Sequence, residues 1–473
     1  ENKNNLKYKL YKIEHHLAHL SSSYFVSDFD TAVGFSYDGS GDFVSAMHAV
    51  CEGNNINIKK KVTLPHSLGH FYSALCQFIG FDQFGEEYKV MGLAPYGEDV
   101  YEAEMHKILK LTSNKWFQLN EDYFNIYKGI SEAELNDDGV MRLGSLYSPE
   151  LCKLLGNART RGEELTQKEK DLAKSTQVHF ERAAMLSLET INKITPINNL
   201  VMAGGCALNG VMNAKIYRDT AVQKMYLQCA SSDDGTAIGA AYACWHMKLG
   251  NSKRFHMKHA FWGPEYSDYE IEQAILDLGY SVCKFKDADH TVVVTAQLIE
   301  AGNVVGWYQG RSEWGPRALG NRSILANPLI PSMKDTINKK IKKRESFRPF
   351  APSVLREEVS RFFEQDLDSP FMMHVVKFKA EYLNKFPAVT HIDGTGRLQT
   401  VSMDNNPLYY RLIKEFKKLT GHGILLNTSF NENEPIVDTP AQAIACFKRT
   451  DMDILVMGNY IVTKNGVSID THQ

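Results

Sequence analysis

Two histidines one helical turn apart are the first residues of this chain whose spacing points to chemistry. Residues 14–19 read EHHLAH, so His15 and His19 would leave the same face of a helix. Two neutral imidazoles on one face can bind a single cation. Such a pair alone is more typical of a packed or solvated helix face. The segment 37–42, YDGSGD, favours function, because Asp38 adds an oxygen ligand and the glycine amides could hold a phosphate.

Further candidate binding residues follow two short apolar segments that are typical of buried strands. Gly204 and Gly205 follow the first, and Asp233 and Asp234 follow the second. The carboxyl ends of parallel strands face the ligand crevice of a doubly wound sheet, so these residues are expected near Asp38. Two histidines and two aspartates suit Fe(II), Mn(II) or Zn(II) better than Mg(II) or Ca(II), and they argue against a thiolate zinc site.

A second group of candidates is basic. Residues 310–322, GRSEWGPRALGNR, place three arginines in a glycine-studded loop, and guanidinium groups match phosphate oxygens. Arg348 in RPFAP and the donors of 427–431, NTSFN, would complete an anion pocket. The basic run 339–344 is by itself typical of a solvated helix face.

Periodicity and turn residues predict the elements that position these groups. The first part of the chain is predicted to begin with helix 15–25, strands 31–37, 43–50 and 56–64, and helix 67–79. A polar inserted or lid-like region follows at 100–165. After it come a helix from the capping box Thr166–Glu169 to about 194, strand 199–202, a helix, strand 224–227 and helix 237–245. This order is that of one half-unit of the ribonuclease H-like fold. A second half-unit, on the order of 100 residues, is therefore expected before residue 1.

Composition limits the class of protein. The 473 residues are 43% hydrophobic and 23% charged, which is typical of a globular chain with at least two domains, and a boundary is predicted near 254–263. The net charge of −3 argues against a nucleic-acid or anionic-membrane surface. Eight scattered cysteines without a C-x-x-C motif indicate reduced thiols and a cytoplasmic protein. No apolar run reaches the ~18 residues of a membrane span, and no secretory signal is present at the start.

Ordered motifs along almost the whole chain resemble the NodU/CmcH family of O-carbamoyltransferases. The matching stretches are HHLAH, SYDGSGD, GEEYKVMGLAPYG, MAGGCALNG, SDDGTAIGAA, GRSEWGPRALGNRSIL, FRPFAPSVL, THIDGTGRLQT and LLNTSFNENEPIV. The resemblance implies a mixed α/β protein in which residues 1–253 form a TsaD-like, ribonuclease H-like domain and residues 254–473 a YrdC-like domain. Arg348-Pro349 stands where many YrdC proteins have Lys-Pro, which keeps the charge.

The resemblance also implies roles for individual residues. An iron-type metal, Fe(II) with Mn or Zn as alternatives, would be bound by His15, His19, Asp38 and Asp233. Adenylate contacts would come from Gly39, Gly41, Lys89, Gly204, Gly205, Asn209 and Asp234. ATP, with Mg, and carbamoyl phosphate would be held by Arg317, Lys342, Arg348, Arg397, Ser429 and Asn431. The family's catalytic histidine, part of a His-Asp-Ser motif, has no match before His15, so this base is expected in a segment that precedes Glu1. His66 and His70 are the next histidines to consider.

The activity implied by the resemblance is ATP-dependent O-carbamoylation. Carbamoyl phosphate and ATP would give carbamoyl adenylate, and its carbamoyl group would pass to a hydroxyl of a small molecule or glycan. The resemblance allows a homodimer. Two alternatives stay open: synthesis of threonylcarbamoyl-adenosine on tRNA, which uses the same two domain types, and a non-catalytic remnant. The fused domain order and the net charge of −3 favour O-carbamoylation over the tRNA reaction.

Overall fold

A computed structural model describes residues 9–126, 134–135, 141–276, 279–345 and 347–464. The start of the chain and part of the predicted inserted region lie outside these residues. The described chain is a mixed α/β protein with one five-stranded and one nine-stranded sheet. None of its described helices is long and apolar enough to cross a membrane.

The first part of the chain builds the five-stranded sheet and the helices around it. Its elements are α1 (His15–Tyr24), β1 (Thr31–Gly41), β2 (Val44–Glu52), β3 (Asn55–Thr63), α2 (Leu68–Phe78), α3 (Glu87–Leu93), α4 (Glu102–Ile108), β4 (Leu109–Thr112), β5 (Trp116–Leu119), β6 (Glu134–Leu135), β7 (Met141–Arg142), α5 (Pro149–Leu155), α6 (Gln167–Ile194), β8 (Asn199–Ala203), α7 (Gly210–Asp219), β9 (Lys224–Leu227) and α8 (Thr236–Tyr242). The sheet order is β3-β2-β1-β8-β9. Strands β1 to β3 are antiparallel, whereas β8 is parallel to β1 and β9 to β8. The carboxyl ends of β1, β8 and β9 therefore lie at the same edge of the sheet.

The second part builds the nine-stranded sheet. Its elements are α9 (Asp268–Ile275), β10 (Ser281–Lys284), α10 (Ala288–Glu300), β11 (Val305–Tyr308), β12 (Arg322–Ala326), α11 (Met333–Ile337), β13 (Ala351–Leu355), α12 (Val359–Phe362), β14 (His374–Lys377), β15 (Thr395–Val401), α13 (Pro407–Thr420), β16 (Ile424–Ser429), α14 (Pro440–Arg449), β17 (Ile454–Met457) and β18 (Tyr460–Thr463). The strand order is β10-β18-β17-β11-β12-β16-β13-β15-β14. Strands β12, β16, β13 and β15 are neighbours, which brings the arginine loop, the 427–431 segment and Arg397 to one region of the sheet.

Local sequence signals set most helix starts. The predicted capping box of Thr166 and Glu169 is present and opens the 28-residue helix α6. Ser67 caps α2 by accepting a hydrogen bond from the backbone N–H of His70. Both devices satisfy backbone donors that a helix start would leave without partners.

The hairpin between β1 and β2 differs from its prediction. Phe43 was expected in a strand, but Asp42 and Phe43 take φ of 49° and 62°, and β2 begins at Val44. Phe43 is 81% exposed, so no packing holds it in the pleat. Two consecutive residues at positive φ make the turn that matches the twist of the two strands.

The described part of the predicted inserted region packs into the main core. Trp116 and Phe117 of β5 are buried there together with Phe180 of α6 and Phe35 of β1. The ring of Trp116 meets that of Phe35 edge-on at 5.8 Å between centroids. This hairpin is therefore a fixed part of the first core.

Candidate functional site

Four side chains from three separate segments converge at the ends of β1 and β9. Helix α1 supplies His15 and His19, β1 supplies Asp38, and the turn after β9 supplies Asp233. One ligand atom from each of the four lies within 4.8 Å of all the others. The cluster follows from the parallel strand ends and the one-turn spacing of the histidines.

The start of α1 fixes the histidine pair. Glu14 caps the helix by accepting a hydrogen bond from the backbone N–H of Leu17 at 2.7 Å. The Nε2 atoms of His15 and His19 are then 3.0 Å apart. Gly41 is needed beside them, because a Cβ there would lie 2.0 Å from the His15 ring. Gly41 therefore makes room for the imidazole of His15.

The donor atoms suit a first-row divalent cation. His19 Nε2 lies 2.9 Å from Asp38 Oδ2, and His15 Nε2 lies 3.6 Å from the same oxygen. Asp233 Oδ1 is 3.5 Å from both imidazole nitrogens. Ligands at about 2.0–2.2 Å from one ion stand at comparable separations. The residues present therefore fit a metal with two nitrogen and two oxygen ligands.

Electrostatics within the cluster are strong. Burial disfavours the imidazolium of His19, but the hydrogen bonds that it donates to the carboxylates of Asp233 and Asp38 outweigh burial and raise the pKa of His19 to about 9. Burial acts against the Asp38 carboxylate as well, but hydrogen bonds from His15 and His19 dominate, and the pKa of Asp38 is lowered. The backbone N–H of Gly39 also donates to Asp38 Oδ1 at 2.7 Å. The cluster thus carries a carboxylate held ionised toward two imidazoles.

A second group of charges lies in the second part of the chain. One large cavity is lined by four arginines, which are Arg317, Arg344, Arg348 and Arg397. Nitrogen atoms of Arg317, Arg344 and Arg397 are buried and have no hydrogen-bond partner within the described chain. Burial lowers the pKa of Arg317 to about 10, and burial together with Arg348 lowers the pKa of Arg344 to about 9. Guanidinium groups gathered in this way suit a polyanionic ligand.

Arg344 was not among the predicted site residues. It ends the basic run 339–344, which was interpreted as a solvated helix face. The only local signal was its position two residues after Lys342. The cation–π contact of its guanidinium with the Phe350 ring, at 4.5 Å, helps to place it in the cavity wall.

Lys342, which was predicted to bind ATP or carbamoyl phosphate, is enclosed by residues 429–431. The side chain is 2% exposed, and Nζ contacts four acceptors. These are the carbonyl and hydroxyl oxygens of Ser429 at 2.7 and 3.2 Å, and the carbonyl and amide oxygens of Asn431 at 2.7 and 2.6 Å. Lys342 therefore shapes the 429–431 turn from behind, whereas Ser429 and Asn431 lie on the cavity wall.

Lys89 likewise binds protein groups. Its Nζ lies 2.6 Å from Glu86 Oε1 and 2.9 Å from Glu345 Oε1. The neighbouring Tyr88 accepts a hydrogen bond from Arg348 at 2.8 Å. Helix α3 thus contacts the basic segment of the second part directly.

One cavity of about 1670 Å³ connects the two groups. This is larger than most single-ligand pockets, which are about 300–1,000 Å³. Its walls include these predicted residues: Asp38, Gly39, Gly205, Asn209, Asp233, Arg317, Arg348, Arg397, Ser429 and Asn431. The predicted residues outside its walls are His15, His19, Gly41, Lys89, Gly204, Asp234 and Lys342. The four-residue cluster therefore reaches the cavity through its two aspartates.

Two of the predicted contacts have clear structural tasks. A Cβ on Gly204 would lie 2.2 Å from the Tyr37 carbonyl oxygen, so this glycine permits close packing of β8 and β1. Asn209 caps α7 by accepting from the backbone N–H of Met212 at 3.1 Å, and it exchanges hydrogen bonds with Gln177. Asn209 combines this role with a place on the cavity wall.

Of the two histidines considered as bases, only His70 lines the cavity. Burial lowers the pKa of His70 to about 4, so its imidazole is neutral at physiological pH. Its Nε2 lies close to Gly39, 3.5 Å from where a Cβ on that glycine would stand. His70 is therefore a neutral imidazole on the same wall as Asp38.

Comparisons with known proteins match both parts of the chain. The family models described as carbamoyltransferase N-terminus and carbamoyltransferase C-terminus match residues 1–242 and 296–464. Nodulation protein NolNO of Sinorhizobium fredii is 39% identical over 464 residues, which cover 96% of this chain and 64% of that protein. The 3'-hydroxymethylcephem-O-carbamoyltransferase of Streptomyces clavuligerus is 33% identical over 260 residues, 54% of this chain and 46% of that protein. The chain thus spans less than two thirds of either relative.

Solved structures give a weaker likeness. The crystal structure of full-length HypF in the phosphate- and nucleotide-bound form matches with a TM-score of 0.27 and 16% identity, over 52% of this chain and 37% of that one. A TM-score this low carries no argument about fold or function.

Proposed function

The chain belongs to the carbamoyltransferase family, and we propose that it passes a carbamoyl group from carbamoyl phosphate, by way of carbamoyl adenylate made with ATP, to a hydroxyl group of a small molecule or glycan. The named S. clavuligerus relative is an O-carbamoyltransferase, which supports a hydroxyl acceptor. The observation that carries the proposal is the single cavity lined by both the Asp38–Asp233 pair and the arginines.

The first half-reaction belongs to the arginine end. Water would cleave carbamoyl phosphate into carbamate and inorganic phosphate. A carbamate oxygen would then attack the α-phosphorus of ATP, and the bond from that phosphorus to pyrophosphate would break, which gives carbamoyl adenylate. Arg317, Arg344 and Arg397 would bind the phosphate groups, because their buried nitrogens lack partners within the described chain. Ser429 and Asn431 would add neutral donors from a turn that Lys342 holds in place.

The second half-reaction belongs to the histidine–aspartate end. The acceptor oxygen would attack the carbamoyl carbon, the bond from that carbon to the adenylate phosphate oxygen would break, and AMP would leave with that oxygen and the electron pair. His15, His19, Asp38 and Asp233 would hold a divalent metal, which when bound supplies a Lewis acid for the phosphate and carbonyl oxygens. The attacking hydroxyl must lose its proton, and the neutral imidazole of His70, which lines the cavity, is the candidate base.

The shared cavity explains why both ends belong to one protein. Carbamoyl adenylate is a reactive mixed anhydride, and water would destroy it outside a protected space. A cavity larger than one ligand lets the adenylate reach the second end without release. Assignment of the first part to a TsaD-like, ribonuclease H-like domain is supported by the strand order β3-β2-β1-β8-β9 of its sheet.

The direct test uses the full-length protein with ATP, Mg²⁺, carbamoyl phosphate and a panel of alcohols and glycans. Mass spectrometry is expected to show an acceptor that has gained one carbamoyl group, together with AMP and pyrophosphate. Omission of ATP or of carbamoyl phosphate should abolish the product. Pyrophosphate formation that does not depend on carbamoyl phosphate would contradict the proposal.

A further inference from the structure

Asn427 presents a buried acceptor that the roles assigned above do not use. It lies on β16, is 1% exposed and lines the cavity. Its side-chain oxygen, Oδ1, is buried and has no hydrogen-bond partner within the described ranges. A buried amide oxygen without a partner is costly, so this atom is expected to be matched by a ligand donor.

Hydrogen bonds fix the orientation of this amide. Asn427 Nδ2 donates to Gln399 Oε1 at 2.8 Å, and it lies 3.1 Å from both the Ala318 carbonyl oxygen and Ser353 Oγ. The Gln399 amide is itself oriented, because its Nε2 donates to the Leu319 carbonyl at 2.7 Å. A flipped Asn427 would place its oxygen against these acceptors. Oδ1 must therefore be the atom left for the cavity.

The anchors of Asn427 lie beside the arginines. Ala318 follows Arg317 directly, and Gln399 is two residues after Arg397 on β15, so the two side chains leave the same face of that strand. Ser429 is likewise two residues after Asn427 on β16. Asn427 therefore places one neutral acceptor within a region otherwise rich in donors.

Only one part of carbamoyl phosphate can use that acceptor. Its phosphate oxygens and its carbonyl oxygen accept hydrogen bonds, whereas its amine is the only donor. The adenine amine and the ribose hydroxyls of ATP also donate, but they lie on the nucleoside side of the α-phosphate, away from the terminal phosphates that the arginines would hold. We propose that Asn427 Oδ1 accepts a hydrogen bond from the carbamoyl amine and thereby selects carbamoyl phosphate over other acyl phosphates. This inference rests on the proposed function.

Glu313 is the alternative acceptor to be tested. Its Oε1 accepts from the backbone N–H groups of Leu319, Asn321 and Arg322, at 2.8, 2.9 and 3.2 Å. Its Oε2 is buried without a partner within the described residues, and Glu313 also lines the cavity. Glu313 orders the arginine loop, so its replacement is expected to impair carbamoyl phosphate and its analogues alike.

The test compares carbamoyl phosphate with acetyl phosphate, which carries a methyl group in place of the amine. The full-length protein is assayed for ATP–pyrophosphate exchange with each acyl phosphate. The wild type is expected to prefer carbamoyl phosphate in kcat/KM by at least about 100-fold, because a site built for an N–H group rejects the analogue that lacks it. Asn427→Ala and Asn427→Ser should lower kcat/KM for carbamoyl phosphate about 10- to 100-fold, leaving acetyl phosphate and the KM for ATP within about twofold.

Two matched variants separate selection from structure. Ser353→Ala removes one neighbour of Nδ2 and keeps Oδ1, so the preference for carbamoyl phosphate should persist. Glu313→Gln should keep the preference as well. If the wild type accepts both acyl phosphates equally, or if the Asn427 variants impair both equally, the inference is wrong while the proposed function stands. Loss of preference in Glu313→Gln alone would assign the amine to Glu313 instead.

The wild-type comparison does not depend on whether a variant folds. Exchange with carbamoyl phosphate and none with acetyl phosphate supports selection of the amine. Absence of exchange with carbamoyl phosphate would overturn the proposed function, and this inference with it.

Discussion

Lys89 Nζ lies 2.9 Å from Glu345 Oε1 and joins α3 to the basic segment of the second part. Burial acts against the Glu345 carboxylate, but the hydrogen bond from Lys89 outweighs it and lowers the pKa of Glu345 to about 2. Glu345 is in turn 3.4 Å from Arg348, which also donates to Tyr88. The position of one cavity arginine is thus set by residues of both parts.

Replacement of Lys89 is expected to destabilise the protein. Lys89→Met removes the ammonium shared by the carboxylates of Glu86 and Glu345 and leaves each with one arginine, Arg161 or Arg348. The free energy of unfolding should therefore fall by about 2 kcal/mol, the scale of a lost hydrogen bond between charged groups. The control is Lys153→Met, because the Lys153–Glu150 pair is exposed and should contribute less than about 1 kcal/mol. Urea unfolding measures the loss of unfolding free energy in both variants. Equal losses would show that the ion pairs of Lys89 stabilise the protein no more than the exposed Lys153–Glu150 pair does.

The cluster of His15, His19, Asp38 and Asp233 should be needed for transfer alone. His15→Ala and Asp38→Ala are expected to lower carbamoyl transfer by more than about 100-fold and to leave ATP–pyrophosphate exchange within about twofold, because the arginines are untouched. Metal content per chain should fall in parallel. His106→Ala, a surface change, serves as control. Equal loss of exchange in a folded variant would refute the division of labour between the two ends.

Arg317 should be needed for the first half-reaction. Arg317→Lys keeps a positive charge but loses the planar fork, so exchange should fall by about 100-fold. Arg218→Lys is the matched control, since Arg218 pairs with Asp219 at the surface. Exchange rates that are the same in both variants would remove Arg317 from the anion site.

Acid should destabilise the protein through buried histidines. Burial lowers the pKa of His374 to about 3, and the unfolded chain takes up this proton near the ordinary value of 6.5. The contribution of neutral His374 is therefore complete above pH 6.5 and is lost as the pH falls toward 3. His374→Asn should reduce the pH slope of the unfolding free energy in this window by about 1.4 kcal/mol per unit. His256→Asn, at an exposed histidine, is the control for replacement of an imidazole at the surface.

Two glycines at nearly the same φ separate backbone strain from crowding. Gly204 (φ +96°) would place a Cβ 2.2 Å from the Tyr37 carbonyl oxygen, whereas a Cβ on Gly162 (φ +93°) would meet nothing within 4 Å. Gly162→Ala should cost about 1 kcal/mol of strain, and Gly204→Ala about 3 kcal/mol. Thermal or urea unfolding measures both. A Gly204→Ala protein as stable as Gly162→Ala would mean that β1 and β8 can separate freely.

Local patterns predicted the strands of the first sheet, several helices around it and part of the site. The one-turn spacing of His15 and His19, together with the rule for strand ends, predicted their approach to Asp38 and Asp233. The capping box at Thr166 predicted the start of α6. These signals succeed because they depend on neighbours within a few residues or on a general property of parallel sheets.

The predictions that differ depend on distant contacts. The basic run 339–344 has the composition of a solvated face, but the acceptors that enclose Lys342 belong to Ser429 and Asn431, nearly ninety positions later. Phe43 has the residue type of a strand, and only the pairing of β1 with β2 shows that the turn needs its positive φ. No periodicity within either segment contains that information.

The hydrophobic core of the first part continues across the predicted boundary at 253/254. Leu319, Phe347 and Phe371 belong to the same buried cluster as Phe35 and Phe180. A gene cut at that boundary would encode two fragments, each with part of this apolar surface exposed to solvent. We expect either fragment expressed alone to collect in inclusion bodies, and co-expression of the two to restore soluble material.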